Sequence, residues 1–268
     1  MATLADPAAG GAGAAPTASS AACATSLAAC ERALADHFAA AAVAGAPLWL
    51  FGYASLVWKP EGSFSRRAGA CLGGYCRRFY QASPDHRGTP DAMGRVATIV
   101  RAKRPSAAAI AAAGAACALT RAALAAWPAA AEGAGEGEGE EEEEEEVLEG
   151  EAPVVHGVAY CLEGASAAEH LAKLCKRECG GYVARSVRVT LETGEEVLAS
   201  TFVGERGGEF FRKESPRETA AVIVRARGAS GANLAYLLNL HAALAQVLGV
   251  TDAYLERLVA LTGELGGT

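Results

Sequence analysis

Residues 183–203 read VARSVRVTLETGEEVLASTFV, and this stretch decides the fold class. Over 183–191 the side chains alternate with the period of two that an extended strand produces. Thr193 and Gly194 then give a turn signal, and a second apolar run follows from Val197 to Val203. The stretch therefore predicts two neighbouring strands joined by a short turn.

Other segments extend this pattern in both directions along the chain. Four more strand-like runs precede it, at Leu48 to Phe51, Cys71 to Ala82, Arg95 to Arg101 and Val154 to Leu162. Apolar spacing predicts three helices, over about 167–179, around a face formed by Leu234, Leu237, Leu238 and Leu248, and behind the candidate cap Asp252. Six short strands favour a closed or strongly bent sheet, so we expect an α+β fold.

Two low-complexity regions divide the chain. Residues 1–46 are a low-complexity, Ala-rich tail, in which 1–24 predict disorder and 25–44 have the apolar anchors of a helix. Residues 102–153 are first Ala-rich and then Glu-rich, and we expect a disordered insertion that adds little to the core. The strands on either side should then form a hairpin. The remainder of 47–265 predicts one domain.

Charge and cysteine content exclude several classes of protein. Twelve of the 31 acidic residues lie within 132–151, so the rest of the chain has 24 basic and 19 acidic residues. That excess is too small and too dispersed for a nucleic-acid-binding surface. The eight cysteines form no C-x-x-C pair, and Gly and Pro interrupt the longest apolar run. We therefore expect no membrane span and a cytoplasmic protein, with organellar targeting by the tail as the alternative.

Glu178 is the first candidate catalytic residue. It follows Leu171, Leu174 and Cys175 with the spacing of one helix face, so a carboxylate occupies the apolar stripe in the last turn of that helix. Burial and the negative end of the helix dipole would both raise its pKa, as a general acid or base requires. A structural ion pair with Arg177 or Arg185 explains the position equally well.

Two loops are also unusual. The segment 50–56, LFGYASL, runs from an apolar strand into small and polar residues, and backbone N–H groups at such a bend can bind an anion or a developing oxyanion. An ordinary strand-end turn is the alternative. The second loop contains His86 and Arg87, whose donors suit a carboxylate.

Taken in order, several motifs resemble one family. FGYASLVW, then GYCRRFYQASPDHRGTPDAMGRVATIV, HGVAYCLE, the Arg177-Glu178 pair and SGANLAYLLNLHAALAQVLGVTDAYL are similar to the ChaC-type, glutathione-specific γ-glutamylcyclotransferases. The resemblance covers about 47–261 apart from the insertion. It implies a small β-barrel flanked by helices and a lyase that splits glutathione into 5-oxoproline and cysteinylglycine, without cofactor or metal.

The resemblance also assigns roles to residues. Glu178 matches the catalytic Glu of the family, which would take a proton from the substrate's α-ammonium and return it to the leaving amine. The implied substrate-binding residues are Leu50, Phe51, Gly52, Tyr53, Ala54, Ser55 and Leu56 in the first loop, together with His86, Arg87 and Tyr182. Glutathione is the implied partner, and the oligomeric state is left open.

One departure keeps other functions in view. The family loop is Tyr-Gly-Ser-Leu, whereas this chain has Ala54 in place of the Gly. If that position needed a positive φ, Ala would be strained there. The alternatives are a cyclotransferase for other γ-glutamyl amines or dipeptides, and a non-catalytic module that binds a γ-glutamyl ligand or a partner protein.

Overall fold

A computed structural model describes residues 47–60, 62–104, 106, 110, 117–127, 144–162, 173–174 and 181–266, together with Arg32. The longer strands are β1 (Leu48–Gly52), β2 (Arg66–Gly73), β3 (Tyr75–Ser83), β4 (Gly94–Arg101), β5 (Val154–Leu162), β6 (Tyr182–Leu191) and β7 (Glu196–Gly204). A short ribbon consists of β8 (Arg227–Gly228) and β9 (Gly231–Ala232). The helices are α1 (Ala118–Ala126), α2 (Pro216–Arg225), α3 (Asn233–Ala243) and α4 (Ala253–Gly266).

Five strands close into a barrel in the order β1-β5-β2-β6-β7. Every pair is antiparallel except β1 with β7, where Trp49 and Leu50 lie beside Ala199 and Ser200 in parallel register. The stretch 183–203 supplies the antiparallel pair β6–β7, so β7 both completes this hairpin and closes the barrel. The expected α+β fold with a closed sheet is confirmed.

The predicted strand from Cys71 to Ala82 is wrong in one respect, because it is two strands. Gly74 separates β2 from β3 with a φ of +82°, a conformation that only Gly adopts readily. After this reversal β3 leaves the barrel and pairs with β4 as a separate hairpin, with a bulge between Arg78 and Gln81. The hairpin therefore projects its far end beside the mouth of the barrel.

Helices α3 and α4 complete the core with buried Leu237, Leu240, Leu255 and Leu258. The expected apolar face of α3 differs at Leu238, which is 43% exposed because Leu237 and Leu240 take the inward positions. Asp252 caps α4 as predicted, since its carboxylate accepts a hydrogen bond from the Leu255 amide at 3.1 Å. Among the described residues, no helix is long and apolar enough to cross a bilayer.

The expectation that the strands flanking the block 102–153 form a hairpin is wrong. β4 pairs with β3, whereas β5 pairs with β1 and β2, so the flanking strands do not form a hairpin. Helix α1 packs on β2 so closely that a side chain on Gly73 would collide with the Ala123 carbonyl. The described part of this block thus includes a helix that packs on the barrel. The tail 1–46 lies outside the described residues except for Arg32.

Candidate active site

A cavity of about 530 Å³ opens where the barrel meets the β3–β4 hairpin. The loop after β1, the end of β3, the β3–β4 loop, the start of β6 and helix α3 all contribute to its wall. The predicted site residues that line it are Phe51, Gly52, Tyr53, Ala54, Ser55, Leu56, His86, Arg87 and Tyr182. Leu50 is buried in the barrel core and does not line the cavity. The fold thus brings three separate sequence segments to one volume.

The loop after β1 is held rigidly. The Thr201 hydroxyl donates to the Phe51 carbonyl at 2.9 Å, and the Tyr160 hydroxyl donates to the Leu56 carbonyl at 2.6 Å. Gly52 is required because a Cβ there would lie 2.5 Å from the Cβ of Leu56. The loop therefore turns back tightly on itself in the wall of the cavity.

Tyr53 fixes the middle of this loop. Its hydroxyl donates to the carbonyl of Phe202 on β7 at 2.5 Å, and the side chain is buried. Because β7 pairs with β1 directly beneath the loop, this bond ties the cavity wall to the strand that closes the barrel.

Ala54 has a φ of −120°, and none of the described residues other than Gly has a positive φ. The Ala that replaces the family's Gly therefore fits without the left-handed strain that would have counted against it. Its carbonyl accepts from the Val57 amide at 2.9 Å, which starts the short 3₁₀ turn over Ser55–Val57.

His86 lies at the exposed rim of the cavity. Its Nδ1 is 3.1 Å from the Ser230 hydroxyl, and its Nε2 is 3.6 Å from the carboxylate of Asp85. The Ser230 amide also donates to the His86 carbonyl at 2.9 Å. Gly228 allows the β8–β9 turn to lie this close to the loop, since a Cβ there would be 2.5 Å from the Asp85 carbonyl oxygen. The β8–β9 turn thus sets the position of the loop.

Arg87 is half-buried beside this loop. Its guanidinium donates to the Ala232 carbonyl at 3.1 Å and lies 5.4 Å from the centre of the Tyr236 ring. Burial lowers the pKa of this guanidinium, and within the described part of the chain it has no carboxylate partner. Arg87 is therefore a fixed cation that lines the cavity, and its one side-chain hydrogen bond within the described ranges is the one to Ala232.

Tyr182 completes the wall at the start of β6. Its hydroxyl donates to the Ala97 carbonyl at 2.7 Å, and the amide of Ala97 donates to the Tyr236 hydroxyl at 3.3 Å. Both tyrosine side chains are thereby hydrogen-bonded to the backbone of one residue of β4, Ala97. Tyr182 remains a candidate site residue on this placement.

Glu178 lies outside the described residues, as does most of its predicted helix. Leu174, which shares the predicted apolar stripe, is described and is buried in the main core. The catalytic role of Glu178 therefore stays a prediction. No group of three or more His, Cys, Asp or Glu side chains within the described ranges is placed to bind a metal ion.

The cavity also contains residues that the sequence did not single out. Gln81, Thr201, Ser230 and Tyr236 all line it. Ser230 falls within the Gly-rich turn 228–233, which gave a usable signal, whereas nothing in the local sequence indicates the inward direction of Gln81 or Thr201. Those two depend on the β3 bulge and on barrel closure.

Comparison with known proteins agrees with this geometry. A family model described as ChaC-like protein matches residues 48–265. The glutathione-specific γ-glutamylcyclotransferase of Saccharomyces cerevisiae is 31% identical over 244 residues, covering 79% of this chain and 94% of the yeast protein. The glutathione-specific γ-glutamylcyclotransferase 1 of Homo sapiens is 28% identical over 224 residues, covering 82% of this chain and 78% of the human protein.

A crystal structure of the yeast γ-glutamylcyclotransferase specific to glutathione superimposes with a TM-score of 0.59 at 28% identity, covering 82% of this chain and all of that chain. The similarity therefore extends over the barrel, the hairpin and the helices, beyond the motif segments alone.

Proposed function

The chain belongs to the ChaC-like protein family, and we propose that it cleaves glutathione into 5-oxoproline and cysteinylglycine. The observation that carries this proposal is the cavity of about 530 Å³, in which residues 51–56, His86, Arg87 and Tyr182 meet. Its size is within the range of small-molecule sites. Relatives named for this activity match most of the chain.

The reaction is an intramolecular displacement. The α-nitrogen of the γ-glutamyl group loses a proton and attacks the γ-carbonyl carbon, so that a C–N bond closes a five-membered ring. The amide C–N bond to cysteine then breaks, and its nitrogen takes up the proton. Glu178 is proposed to carry that proton from the first nitrogen to the second. No enzyme nucleophile is required, because the attacking group is part of the substrate.

The loop after β1 supports catalysis by positioning. Cyclisation is fast only when the nitrogen is held near the carbonyl, and a loop fixed by Thr201, Tyr160 and Tyr53 can hold the γ-glutamyl group without losing entropy at that moment. Oriented backbone dipoles in such a loop stabilise a developing oxyanion.

Arg87 is proposed to bind a carboxylate of the substrate. Three other arginines of the β3–β4 hairpin each have an acidic partner: Arg77 pairs with Asp252, Arg78 with Glu151 and Arg95 with Glu214. Arg87 has none among the described residues, although burial already disfavours its charge. A substrate carboxylate would offset that cost and form a charge-assisted hydrogen bond.

The deciding experiment is incubation of the full chain with glutathione and measurement of released 5-oxoproline. Glu178→Gln keeps the shape of the side chain and cannot accept a proton, so its turnover should fall by about a hundredfold or more. Glu256→Gln, which changes an exposed acid on α4, is the matched control and should match the wild type. A Glu178→Gln enzyme with a quarter of wild-type turnover would contradict the assignment.

The same assay separates the alternatives. Equal rates on glutathione and γ-glutamyl-alanine would favour a broader γ-glutamyl cyclotransferase. Measurable glutathione binding without 5-oxoproline release would favour a non-catalytic module. The negative φ of Ala54 removes the argument from left-handed strain for that last case.

A further inference from the structure

Residues 144–151, the end of the Glu-rich run, lie against the β3–β4 hairpin and are called the acidic strap. The amide of Glu145 donates to the Arg101 carbonyl at 2.8 Å, and the amide of Lys103 donates to the Glu145 carbonyl at 2.8 Å. The strap therefore adds a parallel bridge at the end of β4, opposite Ala102. This backbone pairing fixes the register in which its side chains meet the hairpin.

Arg78 on β3 is the main residue that the strap contacts. Its side chain is 1% exposed, and Glu151 grips it with two hydrogen bonds of 2.6 and 2.9 Å. The guanidinium also donates to the Glu146 carbonyl at 3.2 Å and stacks 4.8 Å from the Tyr254 ring. Although burial opposes the charged form, Glu151 raises the pKa of Arg78 above its ordinary value. The buried cation thus depends on strap acids.

Glu145 makes a second connection to the same strand. It accepts a hydrogen bond from the Tyr80 hydroxyl at 2.7 Å and lies 3.2 Å from the ammonium of Lys213. Burial alone would raise the pKa of Glu145, but Tyr80, Arg78 and Lys213 outweigh it and hold the pKa below its ordinary value. The strap therefore carries a charged carboxylate into the protein at this point.

Strand β3, which the strap contacts, continues directly into the cavity wall. Arg78 and Tyr80 precede Gln81, which lines the cavity, and His86 follows Gln81 by five residues. The β3 bulge between Arg78 and Gln81 lies at this junction. A shift of Arg78 would therefore move the wall that faces the loop after β1.

We propose that Glu145 and Glu151 are positioning residues, which hold β3 through Arg78 and Tyr80 so that the cavity wall from Gln81 to Arg87 keeps its place. The kinetic part of this inference rests on the proposed function. Removing the strap carboxylates leaves a buried arginine without a counter-charge, and the strand carrying it must move toward water to relieve that cost. Residues 144–151 of the insertion are thus part of the site's support.

The test compares Glu145→Gln/Glu151→Gln with Glu144→Gln/Glu149→Gln, which removes two exposed acids of the same strap. Amide hydrogen exchange over 79–87 should become about tenfold faster in the first variant, and kcat/KM for glutathione should fall about tenfold, as expected for a misplaced wall. The control should stay within about twofold of the wild type in both measurements.

The proposal would be overturned if the Glu145→Gln/Glu151→Gln variant had the same hydrogen-exchange rates over 79–87 and the same kcat/KM as the control. If the double variant does not fold, Glu145→Gln alone, which leaves Arg78 paired with Glu151, should still show faster exchange over 79–87 and a lower kcat/KM than the control. Wild-type behaviour in that single variant would mean that the acids only stabilise the fold. A wild type that releases no 5-oxoproline would refute the proposed function, while the exchange comparison would still decide the role of the strap.

Discussion

Acid should destabilise this protein through His156, which is buried between the barrel and α1. The imidazole Nε2 lies 3.0 Å from the Thr120 hydroxyl. Burial first, and then the positive charge of Arg77, lowers the pKa of His156 from 6.5 to about 4, while Asp252 opposes the shift. The ring is therefore neutral in the folded protein at neutral pH.

The sign follows from proton binding in the two states. Between pH 6.5 and about 4 the unfolded chain binds a proton at His156 and the folded protein does not. The free energy of unfolding is therefore complete above pH 6.5 and falls as the pH drops toward 4. One pKa unit corresponds to about 1.4 kcal/mol, so the full loss is about 3 kcal/mol, of which about 2 kcal/mol is lost by about pH 5.

The measurement is urea unfolding of the wild type and His156→Gln at pH 8 and pH 5. Gln offers a polar nitrogen to Thr120 and does not titrate, so the loss of stability between the two pH values should be smaller in the variant by about 2 kcal/mol. Glu145 and Glu218, whose pKa values are lowered, also lose stability in acid, but they cancel because both proteins contain them. Equal losses in both proteins would refute the buried neutral imidazole.

Two further predictions concern the cavity. Ala54→Gly should leave kcat/KM within about twofold and lower the free energy of unfolding by about 0.5 to 1 kcal/mol, because φ is already negative and Gly adds only unfolded-state entropy. Thermal melts and kinetics check this, and a folded variant without turnover would mean that the Ala methyl contacts the substrate. Arg87→Gln should raise KM for glutathione by about 10- to 100-fold through loss of a charge-assisted hydrogen bond, with Arg87→Lys between the two. An unchanged KM would show that Arg87 binds no carboxylate.

Much of the fold could be predicted from the sequence because several strands and helix ends are determined by residues close together in the chain. The alternation over 183–191 and the run after Gly194 specify β6 and β7, since a period of two follows from strand geometry alone. The cap at Asp252 is equally local, because the carboxylate bonds an amide three residues ahead. The motifs around Gly52 and Arg87 also identified two walls of the cavity without any tertiary information.

The tertiary structure decided what depends on residues distant in the chain. Composition alone did not indicate that Glu145 and Glu151 of the block 102–153 pair with the buried Arg78, which is more than 60 residues away in the chain. The inward direction of Gln81 follows from a bulge in β3, and that of Thr201 from barrel closure. Periodicity and composition describe a segment's own preference, whereas burial and charge pairing belong to the contact between segments.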